Sequence, residues 1–217
     1  MRTWVVVMAL ALAGGAAAQE TRLGARPEEL GAVLAPAALP DGASAVSGWV
    51  GVPELGVAFR QGLSFGELGA RARFDYLRLA TTAELTARRQ VWTEGAWAVA
   101  PELGLGVTGN PGSRYFDSRN TRGWFLRVNP AALVTRRVVE TVSALGLVEV
   151  AYDQGLSSSI YWRVKPLVGA GAEIYIGEDL TLSLLGQVGV DVFHGASRVT
   201  EARVGYGARL GLGVRLF

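Results

Sequence analysis

The chain contains no cysteine and a single histidine, His194. Disulfides therefore cannot hold it together, an N-terminal lipid-modified cysteine is excluded, and a zinc site lacks its usual ligands. No apolar run beyond the N-terminus approaches the roughly 20 residues that a membrane-spanning helix requires. Neither sign of charge dominates: 21 Lys and Arg against 19 Asp and Glu leave a net charge of +2. The basic residues are dispersed rather than gathered in a stripe, so no nucleic-acid partner is expected. Glycine pairs such as Gly104-Leu105-Gly106 and Gly169-Ala170-Gly171 lack the strand-to-helix setting of a phosphate loop, and no cofactor is implied.

What is present is hydrophobicity without helices, with half of the residues hydrophobic and a mean hydropathy of +0.27. The first residues read as a secretion signal. Arg2 supplies the positive start, Thr3 to Ala13 is apolar after its first residue, and Ala16-Ala17-Ala18 precedes Gln19-Glu20. The apolar run is short for a retained anchor, so residues 1–18 are expected to be cleaved. Residues 19–42 read as a periplasmic lead-in. Pro27-Glu28-Glu29-Leu30 can open a short helix, which Pro36, Pro40 and Gly42 would end.

From residue 43 to 217 the pattern alternates with period two, the signature of strands with two unlike faces. In the clearest segment Leu180, Leu182, Leu184, Val188, Val190 and Val192 oppose Thr181, Ser183, Gln187, Gly189 and Asp191, with Leu185 the exception. In the last, Val204, Tyr206, Ala208, Leu210, Leu212, Val214 and Leu216 oppose Arg203, Gly205, Gly207, Arg209, Gly211, Gly213 and Arg215. The pattern predicts ten strands, at 44–51, 54–62, 66–78, 82–91, 96–108, 123–135, 138–152, 159–176, 179–193 and 203–217, with eight as the alternative count. Thr93-Glu94-Gly95, Arg136-Arg137 and Gly177-Glu178-Asp179 mark tight turns, while longer connections fall at 109–122, 153–158 and 194–202. Short turns alternating with long loops are the asymmetry of an outer-membrane barrel, whose short turns are periplasmic.

Alternation alone does not say which face is inward. Three features put the apolar face outside. The polar face mixes glycines with long charged side chains, which suits a crowded barrel interior. Aromatic residues sit near strand ends: Tyr76, Trp124, Tyr152 and Trp162 at the external end and Trp97 at the periplasmic end, as in the girdles of membrane barrels. The strands are also longer than globular strands of ~5–6 residues. The expected fold is all-β, an antiparallel up-and-down transmembrane barrel. A soluble secreted β-protein is the competing architecture.

The signal peptide, alternating strands, aromatic positions and terminal Phe217 resemble the small Gram-negative outer-membrane β-barrel proteins of the OmpA membrane-domain class. That resemblance implies a location in the outer membrane, contact with its lipids and lipopolysaccharide, and recognition of the C-terminal strand by the barrel-assembly machinery. The family sets its apolar residues in phase with the terminal Phe; here they are in phase with Leu216. A monomer is expected.

The inward face would carry Arg71, Arg73, Arg88, Arg127, Arg163, Lys165 and Arg209 beside Asp75, Glu84, Glu102, Glu149, Glu173 and Asp191. Charges buried together must be paired, so these residues predict an interior ion-pair network and a structural or surface-interaction role. A narrow arginine-lined pore is the alternative. The loop at 109–122 carries Arg114, Tyr115, Phe116, Arg119 and Arg122, candidates for binding a surface partner or lipopolysaccharide phosphates. His194-Gly195-Ala196-Ser197 resembles outer-membrane lipid A deacylases, in which one residue, not two, separates His from Ser. The expectation is a rim histidine and no enzyme.

Overall fold

The computed structural model describes residues 39–118, 120–176, 179–195 and 199–216. The signal peptide, most of the lead-in, Arg119, Ser197 and Phe217 lie outside the described residues.

The described residues form β1 (Ser44–Val52), β2 (Glu54–Leu63), β3 (Gly66–Asp75), β4 (Ala80–Arg88), β5 (Trp92–Glu94), β6 (Trp97–Asn110), β7 (Gly123–Val139), β8 (Val142–Gly155), β9 (Ile160–Ile176), β10 (Leu180–Gly195) and β11 (Thr200–Leu216). Apart from β4 and β5, consecutive strands pair antiparallel, and β1 pairs with β11 from Ser44 opposite Leu216 to Val52 opposite Ala208. Both β4 and β5 pair with β6, so β5 continues the line of β4 after a break at 89–91. The sheet thus closes as an antiparallel barrel of ten staves, one of them broken, and the eight-strand count is excluded.

The apolar face points outward along the whole circumference. Leu184 is 60 % and Val188 56 % exposed, whereas Glu173 and Asp191 on the other face are 0 % and 1 % exposed. Leu210, Leu212, Val168, Val107, Leu85 and Val57 repeat the exposed apolar pattern on other staves. A soluble sandwich or barrel buries this face, and a contiguous apolar belt of this extent needs a hydrocarbon solvent. The expected membrane-spanning barrel therefore stands, and the competing soluble architecture is set aside.

The interior is not wholly polar. Leu185, which breaks the alternation of β10, turns inward and packs with Ala131, Leu133 and Leu147. Leu39, Ala43 and Ala45 form a second apolar cluster at the end where the chain enters. That end also carries the tight connections at 64–65, 95–96 and 140–141, and the opposite end carries those at 76–79, 111–122 and 156–159.

Three expectations are corrected. Arg136 and Arg137 do not form a turn; β7 runs on to Val139, and the turn lies at Glu140-Thr141. The Arg137 guanidinium donates to the Glu140 carbonyl and so closes that turn. The strand expected at 82–91 breaks after Arg88. The strand expected at 66–78 ends at Asp75, whose carboxylate accepts the N–H groups of Leu77 and Arg78. Such a bond to the backbone two residues on stabilises a turn against strand continuation.

Candidate functional site

The lumen is the candidate site, and cross-strand register builds it. Inward positions recur every second residue, so Glu67, Arg71, Arg73 and Asp75 of β3 share one face. Pairing with β4 sets Glu67 opposite Arg88 and Arg71 opposite Glu84. Arg127 stands opposite Asp153 and Asp191 opposite Arg203 by the same logic. Opposite charges directly across a strand pair attract, and inside a barrel the attraction is little screened.

The ion pairs lie in three tiers. Near the tight-turn end, Glu67 accepts from Arg60 Nη1 at 2.7 Å, Arg88 Nη2 at 2.7 Å, Arg88 Nε at 3.1 Å and the Leu39 N–H at 2.9 Å. In the middle tier, Glu84 Oε2 accepts from Arg71 Nε at 2.6 Å and Arg73 Nη2 at 2.7 Å, and Arg71 Nη1 reaches Glu102 at 3.0 Å. Glu54 sits 3.8 Å from Arg73 and 3.9 Å from Arg209. Gln187 bridges this tier, donating to Glu149 at 3.1 Å and accepting from Arg209 at 2.5 Å.

Near the long-loop end, Arg127 binds Asp153 through two bonds of 2.6 and 2.7 Å, and Arg163 binds Asp191 through two of 2.5 and 2.6 Å. These two-pronged pairs fix the orientation of each guanidinium plane. Arg203 joins Asp191 at 2.7 Å and reaches Asp117 at 2.9 Å. Arg78 Nε also donates to Asp117, at 2.9 Å, and Nη2 to Asp191 at 3.3 Å. Asp117 belongs to the 111–122 loop, so this loop is drawn onto the barrel mouth by Arg203 of β11 and Arg78 of the 76–79 connection. Asn120 fastens it further: Nδ2 donates to the carbonyls of Ser113 at 2.7 Å and Arg78 at 3.1 Å.

The charged residues read from the sequence lie on the inner face. Glu173 accepts from the Tyr175 hydroxyl at 3.2 Å. Lys165 differs from the arginines: it lines two cavities at the loop end and makes no hydrogen bond or ion pair among the described residues. Sequence reasoning missed Glu54, Arg60, Glu67, Arg78, Asp117 and Asp153, and it placed Arg203 on the polar face without assigning it to the network. It also missed Trp49, whose ring sits inside the lumen with the Arg209 guanidinium 5.9 Å from its centroid. The glycine at 56 makes room for that ring: a Cβ there would overlap Trp49 Cζ2 and fall 2.7 Å from the Ala72 carbonyl oxygen.

Three cavities of about 70, 80 and 190 Å³ run through the lumen and its mouth. At ~30 Å³ per water each holds a few molecules. Arg71 Nη2, Arg73 Nε, Glu84 Oε1 and both polar atoms of the Asn129 amide are buried without a protein partner.

Of the aromatic positions, Trp97 and Trp124 are exposed on the outer wall, and Tyr152 and Trp162 are half-buried. Tyr76 lies in the 76–79 connection rather than on a strand, because β3 ends at Asp75. In the long loop, Tyr115 and Phe116 are exposed and meet edge to face at 4.6 Å, and Arg114 and Arg122 are exposed. His194 stacks on Trp162 with centroids 5.6 Å apart, and Nδ1 lies 3.0 Å from Thr200 Oγ1. Asp191 is on the opposite face and engaged by arginines, so it does not orient His194. Among the described residues, no group of three or more His, Cys, Asp or Glu is placed to hold a metal.

No family model matches the chain, and no curated protein matches it. Among solved structures it is similar to the KdgM porin in complex with disordered oligogalacturonate, with a TM-score of 0.46 and 8 % identity over 81 % of this chain and 98 % of that one. The KdgM porin by itself gives 0.44 at 8 % identity over the same shares. Ail, the attachment invasion locus protein of Yersinia pestis, gives 0.39 at 16 % identity over 81 % of this chain and 99 % of that one. Likenesses of this strength bear on neither substrate nor mechanism.

Proposed function

We propose that the chain is a small outer-membrane β-barrel with a structural or surface-interaction role, its lumen held shut by ion pairs. The observation that carries this reading is Asp117, which bridges Arg78 and Arg203 and brings the longest described loop across the barrel mouth. The apolar belt supplies the membrane, and tight turns at one end with longer loops at the other match a periplasmic and an external side. From the OmpA-class resemblance only the architecture is carried over, together with recognition of the closing C-terminal strand by the assembly machinery. We further assign the lumenal carboxylates and arginines to holding the staves together rather than to catalysis.

A specific observation favours a second reading, a narrow pore. Buried polar atoms without protein partners and a lysine facing open space suit a hydrated path more than a solid plug. Planar-bilayer recording separates the two. The closed barrel gives no stable conductance, and Asp117→Asn with Asn120→Ala opens one by cutting the loop's links to Arg78, Arg203 and Ser113. A stable, anion-preferring conductance of the unmodified protein overturns the closed reading and establishes the pore.

A further inference from the structure

Outside the lumen, an open groove of about 1220 Å³ lies on the outer wall at the long-loop end. Its floor is formed by outward positions of β4 and β6, where Thr81, Ala83 and Gly109 are small. The Trp124 ring lies across Gly109, where a Cβ would come within 2.9 Å of it, and so walls one side. Arg114, Arg122 and the serines of the 156–159 connection border the groove.

The two arginines differ from those of the lumen. Among the described residues neither makes an ion pair or a hydrogen bond, and both are exposed. Their backbone is nevertheless fixed. Asn120 ties Ser113 to Arg78, and Gly112, at φ +79°, allows the loop to close on Arg122, where a Cβ at 112 would meet the Arg122 nitrogen at 2.7 Å. Two unneutralised guanidinium groups thus border a groove whose floor continues the apolar belt. The ligand complementary to both features joins an anionic head to a hydrocarbon chain.

We propose that this groove binds a phosphorylated lipid of the outer leaflet, its phosphate held by Arg114 and Arg122 and an acyl chain laid along Ala83 and Val107. The proposal rests on the outer-membrane reading, with the long loops external. Guanidinium groups bind phosphate through paired hydrogen bonds, and the serine hydroxyls add donors for a sugar or glycerol head.

The test uses the full barrel, purified in detergent and shown by heat-modifiable gel migration to be folded. Native mass spectrometry measures retention of a diphosphorylated glucosamine lipid and of its dephosphorylated form. We expect the phosphorylated lipid to be preferred, with each arginine contributing roughly tenfold. Arg114→Ala with Arg122→Ala then lowers the affinity about a hundredfold by the same measure. Arg136→Ala, an exposed arginine at the opposite end, leaves it unchanged. Ala83→Trp fills the floor and weakens the lipid, and inorganic phosphate alone does not displace it. Equal retention of the dephosphorylated lipid, unchanged binding by the double variant, or displacement by inorganic phosphate overturns the proposal. A wild-type chain that gives no heat-modifiable form brings down the membrane reading, and the lipid site with it.

Discussion

Replacing Glu67 by Gln tests the energetics of the lumen at a carboxylate that two arginines share. Glu67 is 4 % exposed and accepts four bonds, three of them from two arginine side chains. Glutamine keeps the shape and removes the charge. Arg60 and Arg88 are then left facing each other across a neutral amide, both largely out of water. Removing one partner from a buried ion pair costs about 3–5 kcal/mol. At 1.4 kcal/mol per tenfold this lowers the folding equilibrium by roughly two to nearly four powers of ten. Urea unfolding in lipid vesicles, followed by gel mobility and tryptophan fluorescence, reads the change directly. Replacing Glu67, Arg60 and Arg88 together by apolar residues of similar volume should recover most of the loss, because the cost arises from buried guanidinium groups that have lost the Glu67 carboxylate. A Glu67→Gln barrel within about 1 kcal/mol of the wild type would refute the reasoning, since surface pairs in water are worth no more than that.

Other expectations follow from the same geometry. Val188→Arg puts a charge on the lipid face near the middle of β10 and should destabilise the vesicle-inserted barrel by about 2–4 kcal/mol, measured by the same unfolding assay. Leu185→Ala empties the centre of the inward apolar cluster and should cost about 2–5 kcal/mol; a loss below 1 kcal/mol would mean that Leu185 does not pack inside. Gly56→Val should destabilise by about 1–3 kcal/mol, because its Cβ would meet the Trp49 ring and the Ala72 carbonyl; an unchanged stability would mean that the ring does not lie there.

The architecture was legible where a strand keeps strict alternation. Leu180–Gly195 and Thr200–Leu216 show their two faces in the sequence, and the glycines and charges of the second face point to the interior. Leu185 was visible as an exception, but only the fold shows that it meets Leu133 and Leu147 inside. The break after Arg88 was not legible, because Arg88-Arg89-Gln90 contains no turn-forming residue. Arg136-Arg137 misled in the opposite direction: paired charges resemble a turn, yet Arg136 lies over the outer Trp97 ring at 5.4 Å and the strand continues.

The lumenal network was partly legible for a related reason. Arg71, Glu84, Arg163 and Asp191 sit in well-alternating strands, so their facing follows from period two. Arg60 lies in β2, where Leu55, Val57 and Phe59 alternate with Gly56, Ala58 and Arg60, so its inward facing followed from period two but was not drawn. Asp153 was assigned to a loop that β8 overruns. Arg78 and Asp117 belong to connections, and only their long-range pairing places them in the mouth. Trp49 was hidden by the general tendency of barrel aromatics to face lipid. The loop arginines Arg114 and Arg122 were noted for their charge, but nothing local shows that Thr81, Ala83 and Gly109 lie beside them.

The orientation of the wall can be measured without background, because the chain contains no cysteine. Single cysteines introduced one at a time from Leu182 to Val190, spin-labelled in vesicles, report access to oxygen in lipid and to a water-soluble nickel reagent. The labels at Leu182, Leu184, Gly186, Val188 and Val190 should be reached by oxygen and hidden from nickel, and those at Ser183, Leu185, Gln187 and Gly189 should be shielded from lipid. Nickel access at Leu184 and Val188, or oxygen access in the opposite phase, would show that the oily side chains do not face hydrocarbon.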